Sequence, residues 1–220
     1  MAAHPEGLTA SPSRARLTRA VALASIAVGT VAAYRGSLSG PALYDDRGSI
    51  LENPTIRSLS TMWSPHPSGW PVSGRPVLNA SFGLNYALSG LDLRSYHGVN
   101  ILIHASAACV LFGILWRTFI VLGRSYERSL ALAWASALLW ALHPLQTESV
   151  AYLSQRAESL MGLFYLLCVY AFIRAYSPGA GGKGAGAWAL LCVAACAVGV
   201  GAKEVMATVP LVLFAYDRLS

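Results

Sequence analysis

VNILIHASAACVLFGILWRTFIVL, residues 99–122, decides the fold. A transmembrane helix needs about 20 mostly apolar residues, and this run supplies them with a single cation, Arg117, near its end. Residues 17–34 and 184–202 meet the same length closely. Three further runs, 130–142, 159–173 and 205–216, are shorter. They span only with help from their flanks or by local thinning of the bilayer. The last contains Pro210, which packed membrane helices tolerate. Apolar residues make up 55% of the chain and charged ones 12%, which excludes an ordinary soluble domain. The expected fold class is all-α integral membrane: a polytopic bundle of about six transmembrane helices. A long first extracytoplasmic loop is expected to carry amphipathic interfacial helices.

The chain has a net charge of +6. In a membrane protein such a balance reports topology and not nucleic-acid binding. Arg14, Arg16 and Arg19 flank the start of the first run, so residues 1–16 read as a cytoplasmic tail and 17–220 as the transmembrane domain. Arg117, Arg124 and Arg128 fall between the second and third runs, Arg174 and Lys183 between the fourth and fifth, and Arg218 after the sixth. All return to the cytoplasmic side. The first run has the alternative of a cleaved signal peptide, although no clear cleavage site follows it. The opposite side receives the loop 37–95, the segment 144–157 and the turn at Lys203-Glu204. It collects Asp45, Asp46, Glu52, Asp92, Glu148, Glu158 and Glu204. Residues 50–63 read as an amphipathic stretch, and Trp63 and Trp70 suit the headgroup layer. Cys109, Cys168, Cys192 and Cys196 lie inside apolar runs without zinc-type spacing, as small core residues do.

Several polar clusters sit where the runs end. Asp45 and Asp46 follow the first run on an irregular loop, where adjacent carboxylates point in different directions. One can orient a nucleophile or bind a metal while the other acts as a general base. Asp46, closer to the amphipathic stretch, is slightly preferred as the base. A solvated loop or a helix N-cap is the plainer alternative. His97, Asn100 and His104 form one polar stripe on a helix. For His104 an interhelical hydrogen-bond network is the favoured reading, whereas His97 is a site candidate. The segment from His143 to Glu158 reads as a short helix begun by Pro144, with Glu148, Arg156 and Glu158 on or beside one polar face. Lys203 and Glu204 interrupt an apolar stretch, and Lys suits a phosphate as a compact cation. Asn79-Ala80-Ser81 is formally a glycosylation sequon.

Taken in order, these pieces resemble one family. The pieces are Tyr44-Asp45-Asp46, Ile50-Leu51-Glu52-Asn53-Pro54, Gly74-Arg75-Pro76-Val77-Leu78, Leu84-Asn85-Tyr86, Tyr96-His97-Gly98-Val99-Asn100, His143-Pro144 with Thr147-Glu148, Arg156-Ala157-Glu158, Lys203-Glu204 and Tyr216-Asp217. The string is similar to the membrane half of the transmembrane and tetratricopeptide-repeat-containing O-mannosyltransferases, polytopic glycosyltransferases of the GT-C class. The resemblance implies a polyprenyl- or dolichyl-phosphate sugar donor, with mannose as the sugar, and a Ser or Thr hydroxyl of a protein as acceptor. The reaction is then expected on the extracytoplasmic face of the bacterial cytoplasmic membrane or the endoplasmic reticulum. It implies that Asp45 or Asp46 takes the acceptor proton and that Arg156 and Lys203 steady the leaving phosphate. His97, His143, Glu148, Glu158 and Glu204 would line or brace the site. No cofactor is certain, and a divalent metal is a possibility the Asp pair leaves open. Family members continue with further spans and tetratricopeptide repeats, so the chain is expected to correspond to an incomplete N-terminal membrane part. The alternatives are a lipid-phosphate transporter-like protein and a non-catalytic membrane fragment.

Overall fold

The computed structural model describes residues 12–64, 70–176 and 184–219. Lys183 and most of the expected N-terminal tail lie outside the described residues. Eight α-helices and several short 3-10 or π turns make up the described chain, in which there is no strand. The helices are α1 (Pro12–Tyr34), α2 (Pro76–Ser89), α3 (Leu93–Val121), α4 (Tyr126–Leu142), α5 (Gln146–Ala151), α6 (Arg156–Tyr176), α7 (Ala185–Val200) and α8 (Val209–Leu219).

Helix α3 is the axis of the bundle. On one side it packs with α1 and α4, on the other with α6, which in turn carries α7 and α8. The first interface is made of small residues. Ala133, Ala137 and Ala141 repeat at one-turn spacing on α4 and close against Ala22, Ile26, Ala108 and Phe112. Small residues let helix backbones approach where lipid supplies no hydrophobic drive for association. The outward faces are apolar instead: Leu17, Val28, Leu190, Val193, Leu211 and Phe214 are exposed. Polar Thr30, Asn100 and His104 are buried. A bundle with apolar residues outside and polar ones inside suits a bilayer.

Three segments are long and apolar enough to cross a membrane: Ser13–Ser39, Leu93–Val121 and Leu153–Tyr176. The fourth expected run is therefore longer than residues 159–173, because α6 begins at Arg156. The fifth is shorter, since α7 has 16 residues and stops at Gly201. Residues 205–216 are not one continuous helix. A 3-10 turn, Glu204–Thr208, precedes the 11 residues of α8. Pro210 thus stands in the first turn of α8, where no backbone donor is needed, and makes no mid-helix kink.

The loop after α1 folds over one end of the bundle. Residues 50–63 do not form a continuous amphipathic helix; a π turn (Arg47–Leu51) and a 3-10 turn (Thr55–Arg57) occupy that stretch. The helix this loop does carry is α2, opened by Pro76 at its first turn. Ile50, Ile56, Val72, Leu78 and Phe82 bury against Tyr96, Leu153 and Leu160. Asn79 is fully buried: its amide donates to Thr55 Oγ1 (2.8 Å) and Met62 O (2.9 Å), and its oxygen accepts from Asn53 (2.9 Å). It pins the loop to α2 and is not available as a glycosylation acceptor, whatever its sequence context.

The start of α2 is clamped to the end of α7. Val77 N donates to Gly201 O at 3.0 Å, and a Cβ on Gly201 would lie 2.6 Å from Val77 Cγ2. Gly201→Ala is therefore expected to lower stability by about 1–3 kcal/mol, the usual cost of overpacking. Adding Val77→Ala should recover part of that loss. Thermal unfolding in detergent measures both; a Gly201→Ala protein as stable as the parent would contradict the contact.

Candidate functional site

The polar clusters meet at the loop-covered end of the bundle. At their centre is Arg156, the first residue of α6 and fully buried. Its Nε donates to Asn100 Oδ1 at 2.6 Å. Nη2 donates to Asn85 Oδ1 (3.0 Å) and Tyr96 O (2.9 Å), and Nη1 to Ser81 O (3.3 Å). The guanidinium also lies over the rings of Phe82 (4.6 Å) and Tyr96 (5.6 Å). All of these acceptors are neutral. Charge-assisted hydrogen bonds and ring faces hold a desolvated cation without a bonded carboxylate. Asn100 completes the arrangement from its other end: its Nδ2 donates to Val150 O at 3.3 Å.

Asp45 and Asp46 are neighbours with opposite environments. Tyr44 takes φ of 27°, a left-handed conformation that a bulky residue rarely adopts. After this turn the Asp46 carboxylate points inward and is buried. Oδ1 accepts from Ser154 N at 2.7 Å and Oδ2 from Leu43 N at 2.9 Å. The Asp45 side chain is exposed, and its backbone N donates to Tyr152 Oη at 3.0 Å. Asp46 thus ties the loop to the 3-10 turn Leu153–Gln155, two residues before Arg156. Of the two, Asp45 has the free carboxylate, so the sequence preference for Asp46 as base does not fit this geometry.

The segment 143–158 is not one helix. Helix α5 ends at Ala151, and Tyr152 is extended (φ −85°, ψ 117°). Glu148 therefore sits on α5, while Arg156 and Glu158 belong to the first turn of α6. His143 and Glu148 are exposed. His143 Nδ1 accepts from Leu145 N at 3.2 Å, bracing the turn into α5. His97 is buried, with Nε2 at 3.2 Å from Gly40 O and Nδ1 without a protein partner. Since Gly40 O can only accept, Nε2 is assigned the proton. His104 joins an interhelical network, as expected: its Nε2 and the Tyr34 hydroxyl both donate to Ala141 O, at 2.9 and 3.2 Å.

Lys203 and Glu204 face different partners. Lys203 pairs with Glu158, joining the end of α7 to the start of α6. Glu204 is 3.7 Å from Arg75, which directly precedes α2. The Glu204 carboxyl is held below the usual range by its own backbone N–H and then by the Arg75 charge. The rim thus carries two cations and two acids, all partly or well exposed, whereas Arg156 lies beneath it. Arg75, Tyr152 and Asn85 carry no role in the sequence reading. Arg75 had a signal in its position directly before a helix-starting proline; the others act through contacts that no spacing reveals. Among the described residues no group of three or more His, Cys, Asp or Glu converges as a metal site. The divergence of Asp45 and Asp46 removes the pair as joint ligands in this conformation.

The ordered motifs have counterparts in known proteins. Protein O-mannosyl-transferase TMTC1 of Mus musculus is 30% identical over 181 residues, covering 77% of this chain and 18% of its own length. For TMTC2 of Homo sapiens the identity is 34% over 164 residues, with 69% of this chain and 18% of the relative covered. For TMTC4 of Homo sapiens it is 32% over 205 residues, with 82% and 27%. The chain belongs to this protein O-mannosyl-transferase family. It spans about a fifth to a quarter of the length of these relatives. No family model matches the chain, and no solved structure does.

Asp46 and Asp45 should separate in a stability measurement. Asp46→Ala leaves the buried Ser154 N unpaired, at about 1–3 kcal/mol, and the half-buried Leu43 N at less, and should depress the melting temperature clearly. Asp45→Ala should stay within about 0.5 kcal/mol, as exposed substitutions do. Equal melting of the two variants would contradict the assignment of Asp46 as the brace.

Proposed function

We propose that the loop-covered end of the bundle is the catalytic end of a membrane glycosyltransferase. It would transfer a sugar, mannose by family resemblance, from a polyprenyl- or dolichyl-phosphate carrier to a Ser or Thr hydroxyl of a protein. The observation that carries this reading is the set of contacts, Asp45 to Tyr152, Lys203 to Glu158 and Arg75 to Glu204, on the segments that also hold or adjoin the buried Arg156. That the relatives are protein O-mannosyl-transferases supports the reaction class.

In this reading the acceptor oxygen attacks the sugar's anomeric carbon while the Asp45 carboxylate takes the hydroxyl proton. The bond from that carbon to the phosphate oxygen breaks, and its electron pair stays with the lipid phosphate. Lys203 and Arg75 lie at the rim and exchange their carboxylate partners for the phosphate. Arg156 serves from below: it fixes the geometry of α2, α3 and α6 and adds a positive potential that favours an anion. His143 and Glu148 border the acceptor side, and His97 sits beside the loop that holds the Asp pair.

The catalytic end faces away from the cytoplasm, with α4, α7 and α8 completing six spans beside the three long ones. The arginines at the opposite end support that orientation. Cysteines introduced at Glu52 and Leu145 should react with a membrane-impermeant maleimide from the extracytoplasmic side, and one at Ser125 should not. Labelling of Leu145→Cys and Ser125→Cys from the same side would overturn the threading.

Transfer from a labelled polyprenyl-phosphate mannose to an acceptor protein tests the chemistry. Asp45→Asn should lower turnover by about 10²-fold or more, the range for loss of a general base, with donor binding retained. Lys203→Ala should weaken donor binding. Full turnover by a folded, inserted Asp45→Asn protein would remove Asp45 from the mechanism.

A further inference from the structure

At the other end of the bundle, where α1 begins and α3 and α6 end, a cavity of about 430 Å³ opens between these three helices. That volume is in the range of small-molecule sites. Its floor is apolar, with Leu23, Val110 and Phe112; its upper part has Arg16, Arg19 and Trp116, and Tyr170 closes one side. Going from Arg16 to Leu23 descends two turns of α1, about 10 Å along its axis. The lining therefore passes from cationic to greasy at the depth where a bilayer passes from headgroup to acyl chain.

Two observations point to an anionic occupant, and a third concerns the shape of the cavity. First, cations gather around the cavity. The Arg19 guanidinium lies 4.9 Å from the Trp116 ring, and Arg117 is 5.8 Å and Arg174 5.9 Å from the Tyr170 ring. None of Arg16, Arg19, Arg117 or Arg174 has a salt bridge among the described residues, and the lining contains no Asp or Glu. Second, two buried donors have no acceptor among the described residues: Nε1 of Trp116, which lines the cavity, and Nε of the adjacent Arg117. Buried donors nearly always have partners. Third, Gly113 keeps the walls in register: a Cβ there would stand 2.9 Å from Tyr170 Cε2.

We propose that this cavity binds an anionic phospholipid, with its phosphate among Arg16, Arg19 and Arg117 and the start of an acyl chain on the Leu23–Phe112 floor. A phosphate oxygen accepts several charge-assisted hydrogen bonds at once, which suits a cluster of arginines lacking carboxylates. A zwitterionic choline headgroup would bring its own cation against that cluster. The site is independent of the transferase reading.

Native mass spectrometry of the delipidated 220-residue chain, titrated with phosphatidylglycerol or phosphatidylcholine, tests this. One phosphatidylglycerol should bind saturably and about tenfold more tightly than phosphatidylcholine, a difference of about 1.4 kcal/mol. Arg19→Gln with Arg117→Gln should abolish the preference. Trp116→Phe, which keeps the ring and loses the N–H, should weaken binding while the protein stays folded. Arg124→Gln, in the exposed turn after α3, should change nothing. Equal affinity for the two lipids, an equal loss with Arg124→Gln, or displacement by millimolar inorganic phosphate would overturn the proposal.

Discussion

The arrangement depends on a guanidinium that has no bonded counter-ion. Arg156 is buried at the start of α6, and its donors go to α2 through Ser81 and Asn85 and to α3 through Tyr96 and Asn100. A desolvated cation is tolerable only when its donors are met, so these elements are fixed relative to one another. The loop helix α2 is held over the bundle for this reason. The break at Tyr152 follows from the same requirement: a helix running unbroken from α5 into α6 would satisfy its own carbonyls internally and leave Val150 O unavailable to Asn100. Asp46, bonded to Ser154 N, anchors the remaining free segment to the same point.

Beneath this polar layer the bundle relies on close approach. The alanines of α4 let α1 and α3 come near enough for Tyr34 and His104 to reach the same carbonyl, that of Ala141. That carbonyl lies in the last turn of α4, where intrahelical donors run out. Two side chains from other helices thus complete a helix end in a setting where water does not. The ring of His104 also packs between Tyr34 (5.5 Å) and Trp140 (4.9 Å). The small-residue interface and the polar end of α4 are parts of one contact, and together they set where His143 emerges at the rim.

What the sequence made legible follows from which signals are local. Hydrophobic run length located α1, α3, α4, α6 and α7, and the spacing of Asn100 and His104 placed them on one helix. Charge at run ends anticipated that the loop, residues 143–158 and Lys203-Glu204 meet. Spacing could not show that Lys203 pairs with Glu158, since the contact joins residues 45 positions apart. Nor could it show that Arg156 lies inside the protein; a cation beside two acids reads as a surface feature. The Asn79-Ala80-Ser81 sequon is too short to mean much, because a three-residue motif carries no record of the burial that makes the Asn79 amide a structural bond. Residues 50–63 had an amphipathic pattern, but Asn53, Pro54 and Thr55 favour turns, with the Asn53 side chain bonding Thr55 N at 3.0 Å.

The two ends of the bundle treat positive charge differently, and the contrast has a physical reading. At the loop-covered end two partly buried cations, Lys203 and Arg75, each face a carboxylate, which fixes their positions and tempers their pull on anions. Such pairs are weak when exposed, so a competing phosphate can replace the acid at small cost. At the opposite end Arg19, Arg117 and Arg174 face aromatic rings and, among the described residues, pair with no acid. Rings orient a guanidinium without neutralising it, so an anion arriving there meets the full charge and displaces nothing. The two ends thus hold the same kind of basic side chain in opposite ways, one against carboxylates and the other against rings.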